Sequence, residues 1–216
     1  MKAHTAETQA TITPAKALEI LKEGNQRFVN NLKINRNLLE QVNETKDGQF
    51  PFAVVLSCID SRTSAELIFD QGLGDIFSIR IAGNIINEDI LGSMEFACKL
   101  AGSKLIVVLG HSRCGAIKGA CAGVKTGNLT GLLEKVNPAI DEVKNEMPNT
   151  EQTEPEFITA VEKQNVISMM DKIIKESPVL KELYENGEIG MIGSYYDVET
   201  GEVSFMKASI EEAVAH

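Results

Sequence analysis

The sequence predicts an α/β fold, with a mostly parallel central β-sheet flanked by helices and an N-terminal helical arm. Two features support this prediction. Short, continuous apolar segments recur along the chain, and such segments are typical of strands buried on both faces, as in a parallel sheet. Longer segments with apolar residues at helical spacing lie between them. We expect a single domain over residues 1–216, with the arm at 1–46 and the α/β core at 50–216.

The strands are predicted from runs of apolar and β-branched residues that are too short for buried helices. In chain order these runs are 52–57, 76–81, 105–109, 188–196 and 203–206. The last two are separated by Glu199, Thr200 and Gly201, which predict a hairpin turn. Ligands of open α/β sheets bind beyond the carboxyl ends of the strands. The residues that follow positions 57 and 109 are therefore the first candidates for chemistry.

The helices are predicted from apolar residues that recur every three or four positions. In chain order they are 14–30, 35–46, 87–100, 128–146 and 155–176. Pro14 suits a first helical turn, where its missing N–H costs nothing. The first two helices precede the first strand, and they form the predicted arm.

The overall charge of the chain argues against two classes of partner. The formal net charge is −10, from 31 acidic and 21 basic side chains. A polyanion is repelled by such a surface, so we expect neither nucleic acid nor an anionic membrane as a partner. No window approaches the roughly 18 consecutive apolar residues of a transmembrane helix. Residues 1–13 lack the apolar segment of a signal peptide, so we expect a cytoplasmic protein.

The four cysteines do not indicate a disulfide framework in a chain of this size and predicted location. Cys98 and Cys121 fall in helix-like apolar segments, which favours simple packing in the core. Cys58 and Cys114 instead follow two of the predicted strands. A metal site or a catalytic role is the better hypothesis for this second pair.

Two predicted strands end in residues that carry chemistry. The first is followed by Cys-Ile-Asp-Ser-Arg at 58–62, and the third by Gly-His-Ser-Arg-Cys-Gly at 110–115. Cys58 and Asp60 are two residues apart, so in an extended chain they point to the same side. If the two strands are neighbours, Cys58, Asp60, His111 and Cys114 converge at one edge of the sheet.

Two thiolates, one imidazole and one carboxylate form a donor set that suits a tetrahedral zinc ion, one per chain. Four permanent protein ligands make a structural site, whereas three ligands and an exchangeable fourth position make a catalytic one. Asp60 is the ambiguous member of this set. Arg62 bears on the choice, because its guanidinium can hold a carboxylate bidentately and away from the metal, leaving the fourth position to water.

Together the segments 58–62 and 111–115 resemble the paired signature of the β-class carbonic anhydrases, and the similarity extends from about Lys16 to the C-terminal strands. The resemblance implies zinc-dependent, reversible hydration of carbon dioxide to bicarbonate and a proton by attack of zinc hydroxide. It implies permanent ligation by Cys58, His111 and Cys114. It also implies a catalytic dyad of Asp60 and Arg62, in which Asp60 is able to ligate zinc in an inactive, closed state.

The resemblance also implies a set of substrate-binding positions. Gln49 matches a glutamine that donates a hydrogen bond to substrate in the plant-like branch of the family. Phe77, Ala82 and Phe96 match apolar or aromatic pocket positions, and Phe96 stands where the family often has tyrosine. The backbone N–H of Gly115 matches a donor to a substrate oxygen. In the family a neighbouring subunit often completes this pocket, so a homodimer or homotetramer is expected.

Two rival functions remain open from the sequence. A hydrolase of carbonyl sulfide or carbon disulfide would use the same fold and zinc site, because these substrates have the shape of carbon dioxide. A non-catalytic zinc protein would keep all four ligands closed around the metal. Arg62 and Gln49 disfavour the second rival, since a structural site needs neither residue.

Overall fold

The computed structural model describes residues 2–206, and it confirms the predicted α/β class. A five-stranded sheet with the order β2-β1-β3-β4-β5 forms its centre. Four strands run parallel and only β5 is antiparallel to its neighbour. Their bounds are β1 Ala53–Ser57, β2 Ile76–Arg80, β3 Leu105–His111, β4 Gly190–Tyr196 and β5 Val203–Phe205.

Ten α-helices surround the sheet within the described residues, and none of them is long and apolar enough to cross a membrane. Their bounds are α1 Ala6–Ala10, α2 Pro14–Val29, α3 Leu38–Thr45, α4 Ala65–Ile68, α5 Glu88–Glu95, α6 Gly115–Cys121, α7 Gly127–Leu133, α8 Asn137–Glu146, α9 Pro155–Glu176 and α10 Pro178–Glu185. The prediction of a continuous helix over 87–100 differs from the structure only at its end, where α5 passes into a π-helical turn, Phe96–Leu100.

The predicted helix over 128–146 is in fact two helices, α7 and α8, joined by a 3₁₀ turn at Glu134–Val136. Pro138 explains the interruption. In one continuous helix its ring would clash with the carbonyl of Glu134, and its missing N–H would leave that carbonyl without a partner. The structure instead places Pro138 in the first turn of α8, where proline is tolerated.

The central strands β1, β3 and β4 are buried on both faces, which is why they read as continuous apolar runs, whereas the edge strands β2 and β5 are partly exposed. Successive side chains of a strand point to opposite faces. Val54 and Leu56 of β1 therefore pack in the core beneath α5, α6, α8 and α9, whereas Ala53 and Val55 pack in a second core that includes Leu18 and Leu21 of α2.

The N-terminal arm is fastened to the core of its own chain. At Gly24 of α2, a Cβ atom would lie 1.8 Å from the carbonyl oxygen of Phe69, so only glycine permits this approach. The carboxylate of Asp70 accepts hydrogen bonds from Arg27 Nε and Arg36 Nη1, both at 2.6 Å. These contacts fix the end of α2 and the segment before α3 against the end of α4.

Two features of the sheet place the candidate residues. First, β1 and β3 are direct neighbours, with Ser57 in register with Leu109, so the segments that follow them meet at one edge. Second, α9 lies close to β3 and β4. A Cβ atom at Gly110 or Gly193 would come within 2.6 Å or 2.9 Å of Val166, so the two glycines set the height of α9 over the sheet.

Candidate active site

Three of the predicted ligands come together at the shared edge of β1 and β3. Cys58 follows β1, His111 ends β3, and Cys114 directly precedes α6. Their ligand atoms all lie within 4.8 Å of one another, and all three side chains are buried. The Sγ atoms of Cys58 and Cys114 are 4.0 Å apart. Such a spacing allows two thiolates and an imidazole to share one ion.

The imidazole of His111 is oriented as a metal ligand. Its Nδ1 lies 2.9 Å from the carbonyl oxygen of Ser112, and since a carbonyl only accepts, Nδ1 carries the proton. The lone pair is therefore on Nε2, which is buried and has no hydrogen-bond partner within residues 2–206. A histidine that donates through one nitrogen and ligates through the other is the usual arrangement at zinc. The residues present thus fit the metal.

The two thiols are strongly coupled. The hydrogen bond with Cys114 lowers the pKa of Cys58, and the contact with His111 lowers it further against the effect of burial. The same bond to Cys58, together with burial, raises the pKa of Cys114. Two thiolates this close repel each other, so both ionise only when a cation lies between them. Zinc supplies that cation, because it binds the thiolate form of cysteine.

Asp60 lies outside this three-residue group and is held by Arg62. The Arg62 side chain donates from Nε to Oδ1 at 2.9 Å and from Nη2 to Oδ2 at 2.8 Å, and its backbone N–H donates to Oδ1 at 2.9 Å. These hydrogen bonds hold the pKa of Asp60 well below its usual range, even though partial burial raises it. The carboxylate is therefore ionised and bidentately paired.

Arg80, at the end of β2, fixes the backbone of the same segment. Its Nε donates to the carbonyl of Cys58 at 3.1 Å and its Nη2 to the carbonyl of Asp60 at 2.6 Å. Thr63 Oγ1 also donates to these two carbonyls, at 3.0 and 2.9 Å. The turn that carries Cys58 and Asp60 is thus held from two sides before any metal binds.

Comparisons with known proteins agree with this geometry. A family model described as carbonic anhydrase matches residues 53–203. Carbonic anhydrase 2 of Mycobacterium tuberculosis is 34% identical over 87% of this chain and 90% of its own length. The carbonic anhydrase of Mycolicibacterium smegmatis is 41% identical over 59% of this chain and 65% of its own. The solved β-carbonic anhydrase CcaA is 28% identical, with a TM-score of 0.71, over 88% of this chain and 95% of that one.

The chain belongs to the β-class carbonic anhydrases. Its reaction is the reversible hydration of carbon dioxide to bicarbonate and a proton, and its metal is zinc. Cys58, His111 and Cys114 form a group that is positioned to hold a metal ion. The prediction of the family, the reaction and the cofactor from the two sequence segments is confirmed.

A pocket of about 400 Å³ opens onto the metal-binding group of this carbonic anhydrase. Ala82 and Gly115, both predicted as substrate-binding positions, line it beside Cys58 and Asp60. The rest of the wall is apolar and comes mainly from α6, α7 and the segment between them: Ile59, Ala116, Gly119, Val124, Leu129 and Leu133. An apolar wall suits a small apolar substrate such as carbon dioxide.

The structure places the other three predicted substrate-binding residues away from this pocket. Phe77 and Phe96 form a T-shaped pair, 6.2 Å between ring centres, in a separate groove of about 770 Å³ beside β2. Gln49 is exposed at the amino end of β1, whereas Cys58 follows the carboxyl end. At about 3.3 Å per residue, the five residues of β1 separate them by roughly 16 Å. Within one chain these residues do not meet the metal-binding group.

Sequence reasoning missed several residues that touch the candidate ligands. Arg80 falls within the predicted strand 76–81, but no role is predicted for it. The same is true of Glu162 and Asn165, which fall within the predicted helix 155–176. Glu162 accepts a hydrogen bond from the N–H of Cys114 at 2.7 Å, and Asn165 donates to the carbonyl of Gly83 at 2.9 Å. The sequence does contain a signal for Glu162 and Asn165, because they are polar residues on the otherwise apolar face of α9.

Proposed function

We propose that Cys58, His111 and Cys114 are the permanent zinc ligands and that Asp60 and Arg62 form the catalytic dyad. One observation carries this assignment: Arg62 holds both carboxylate oxygens of Asp60 outside the ligand group, at the wall of the pocket. Cys58, His111 and Cys114 would then hold the metal without Asp60, which would leave room for a further ligand from the pocket. Three ligands and an open position characterise catalytic zinc sites.

Each residue of the site has a part in the reaction. Zinc supplies, when bound, the Lewis acidity that makes water a nucleophile near neutral pH, a chemistry for which carbonic anhydrases are the standard example. Asp60, kept ionised by Arg62, accepts a hydrogen bond from the attacking water and orients it. The N–H of Gly115, in the first turn of α6, donates to a substrate oxygen. The apolar wall holds carbon dioxide against this polar end.

The proposal is tested by stopped-flow hydration of carbon dioxide with zinc-loaded protein. Asp60→Asn keeps the size of the side chain and removes its charge, so we expect the rate to fall by about 10² to 10⁴. Asp141→Asn is the matched control, because Asp141 is an exposed acid of α8 far along the chain from the ligands. Equal rates in the Asp60 variant and the wild type would remove Asp60 from the dyad.

The same preparation separates the rival substrates. Hydrolysis of carbonyl sulfide or carbon disulfide is measured beside hydration of carbon dioxide. We expect hydration of carbon dioxide to dominate, since no described residue beside the metal group adds a feature that selects sulfur. Efficient hydrolysis of the sulfur compounds with slow hydration would reverse the substrate assignment.

We further propose that the enzyme is a homodimer whose subunits meet along β2, one of the two edge strands of the sheet. Phe96 is 51% exposed although it is aromatic, and it lies with Phe77 in the groove beside this edge. A second copy would cover both rings and bring its Gln49, Phe77 or Phe96 toward a pocket that one chain leaves incomplete. A homotetramer would be a pair of such dimers.

Sedimentation of the wild type and of Phe96→Glu tests this proposal. We expect the wild type to sediment as a dimer or tetramer, and the variant, with a charge in the covered groove, to sediment as a monomer of low activity. Leu100→Glu is the control, because Leu100 is 75% exposed in the same turn but does not line the groove. A monomeric, fully active wild type would refute the assembly.

The location of the enzyme remains a proposal, and we place it in the cytoplasm. All four cysteines are buried thiols, and the Sγ atoms of Cys58 and Cys114 are close enough to be oxidised to each other. An oxidising compartment would favour that disulfide over the thiolate ligands, whereas the cytoplasm keeps thiols reduced. Cell fractionation with a cytoplasmic marker tests this, and recovery with secreted proteins would contradict it.

A further inference from the structure

One face of α9 carries two buried polar residues in an otherwise apolar stripe. Glu162 is 2% exposed and Asn165 is 0% exposed, and they lie one helical turn apart. The close approach of α9 at Gly110 and Gly193 brings this face against the edge of the sheet that carries the ligands. Each of the two polar residues bonds to backbone that belongs to, or touches, one of the candidate thiolate ligands.

Glu162 accepts a hydrogen bond from the backbone of Cys114. Cys114 is the N-cap residue of α6, so its N–H has no partner inside that helix. Oε1 of Glu162 accepts this N–H at 2.7 Å, and Oε2 accepts the hydroxyl of Tyr195 at 2.6 Å. The carboxylate is therefore fixed by two donors. It in turn fixes the backbone from which the Cys114 thiol projects.

Asn165 is connected to Cys58 through the backbone of Gly83. Nδ2 of Asn165 donates to the Gly83 carbonyl at 2.9 Å, and the N–H of Gly83 lies 3.3 Å from Cys58 Sγ, to which it donates. Gly83 has a φ of +70°, a left-handed backbone conformation that glycine adopts without strain. Asn165 thus holds the carbonyl side of Gly83, the residue whose N–H donates to the Cys58 sulfur.

Stability alone does not account for a carboxylate at position 162. Within residues 2–206 Glu162 forms no salt bridge, although its side chain is buried. Apolar residues of similar size are often at least as stabilising at such positions. We therefore relate the buried Glu162 carboxylate to its two hydrogen bonds, which fix the backbone of Cys114 and the hydroxyl of Tyr195.

We propose that Glu162 and Asn165 are positioning residues that set the geometry of the Cys114 and Cys58 thiolates, and through them the affinity of the enzyme for zinc. This inference rests on the ligand set proposed above. Neither residue touches the metal or the substrate, and both act through the ligand segments. Loss of such outer contacts at metal sites typically weakens metal binding about 10- to 100-fold.

Zinc affinity, measured by competition with a chelator at mildly alkaline pH, tests the proposal. We expect Glu162→Leu and Asn165→Leu to raise the zinc dissociation constant about 10- to 100-fold. Glu162→Gln should stay within about threefold of the wild type, because its amide oxygen accepts the Cys114 N–H and its amide nitrogen donates to the Tyr195 hydroxyl. If Glu162→Gln keeps the affinity for zinc, position 162 needs a hydrogen-bond acceptor for the Cys114 N–H and not a negative charge.

Two further samples guard against variants that merely fold poorly. Ile173→Val changes a fully buried residue of α9 about two helical turns beyond Asn165, so it should lower the melting temperature and leave zinc affinity unchanged. Asn165→Asp keeps the volume of the side chain but removes its donor, so it should weaken zinc binding even if the leucine variants do not fold. In the cobalt-substituted protein, the thiolate-to-cobalt bands should shift in the Leu and Asp variants alone.

The outcomes are distinct. Unchanged zinc affinity and cobalt spectra in the Glu162 and Asn165 variants, with a wild type that binds one zinc per chain, would overturn this inference and leave the ligand set intact. A wild type that does not bind zinc at Cys58, His111 and Cys114 would overturn the ligand set, and this inference with it.

Discussion

Asp70 is the buried centre of the contacts that join the N-terminal arm to the core, and its replacement by asparagine gives the sharpest test of that arrangement. The Asp70 side chain is 3% exposed and that of Arg36 is 7% exposed. Arg27 and Arg36 both pair with the carboxylate, and the N–H of Ile34 donates to it at 3.2 Å. Asp70→Asn keeps the shape of the side chain and removes the charge that two guanidinium groups face.

The expected cost follows from burial. Removing one partner of a buried ion pair costs about 3–5 kcal/mol, because the remaining charge is left uncompensated. Asp70 has a φ of +46°, and asparagine tolerates this left-handed conformation as well as aspartate does, so backbone strain adds little. For a domain of this size about 2–4 °C is lost per kcal/mol, so the melting temperature should fall by roughly 6–20 °C.

Thermal and urea unfolding of four proteins measure this cost: the wild type, Asp70→Asn, Arg36→Met and the double variant. The double variant should be more stable than the sum of the single changes predicts, because Arg36, the more deeply buried of the two guanidinium groups, is then no longer left unpaired; only the partly exposed Arg27 loses its partner. Carbon dioxide hydration per folded molecule should be unchanged. A cost below about 1 kcal/mol for Asp70→Asn, the range of exposed pairs, would refute the buried pairing.

The same pair predicts a pH dependence. Burial raises the pKa of Asp70, but the hydrogen bonds from Arg27 and Arg36 outweigh this effect and leave the pKa lowered. The unfolded value is about 3.9, so the stabilisation is present above about pH 4 and is lost as the pH falls through the lower, folded pKa. The stability difference between wild type and Asp70→Asn should therefore shrink in that acid range. A constant difference would contradict the pairing.

Three further predictions concern the site and the arm. Arg62→Leu should lower kcat/KM at least about tenfold with little change in the melting temperature, since the Arg62 side chain is 47% exposed. Arg62→Lys should recover only part of the activity, because lysine cannot bond both oxygens of Asp60 in parallel. Gly24→Ala should cost about 3 kcal/mol in urea unfolding, the upper end of the usual cost of overpacking, because its Cβ meets a backbone oxygen. Gly131→Ala, with open space around it, should be neutral or stabilising. Chelation of zinc should lower the melting temperature, because the folded state alone presents the assembled ligands; an unchanged value would contradict that assembly.

The convergence of the three candidate ligands could be predicted from the sequence because their positions follow from local rules. Cys58 and His111 lie at the ends of short apolar runs, and the carboxyl ends of neighbouring parallel strands meet at one edge. The spacing of Asp60 and Arg62 similarly suggested a pair, and the structure shows both hydrogen bonds. These inferences needed only strand adjacency and the reach of a side chain.

Other parts of the site depend on contacts that a linear pattern does not contain. Glu162 and Asn165 lie far along the chain from the ligands, and only the height of α9 over Gly110 and Gly193 brings them into contact. The pocket wall from α7 depends on the break before Pro138, which apolar periodicity did not reveal. The family resemblance implies that Gln49 binds substrate. Within one chain, however, Gln49 lies at the opposite end of β1 from Cys58.

The central claim is that zinc has three protein ligands here and that Arg62 keeps Asp60 off the fourth position. Diffraction of the zinc-loaded enzyme near neutral pH, with anomalous data at the zinc edge, tests it directly. We expect one zinc per chain, bound by Cys58 Sγ, His111 Nε2 and Cys114 Sγ, with Asp60 still paired to Arg62. A zinc ion ligated by Asp60, with Arg62 released, would contradict it.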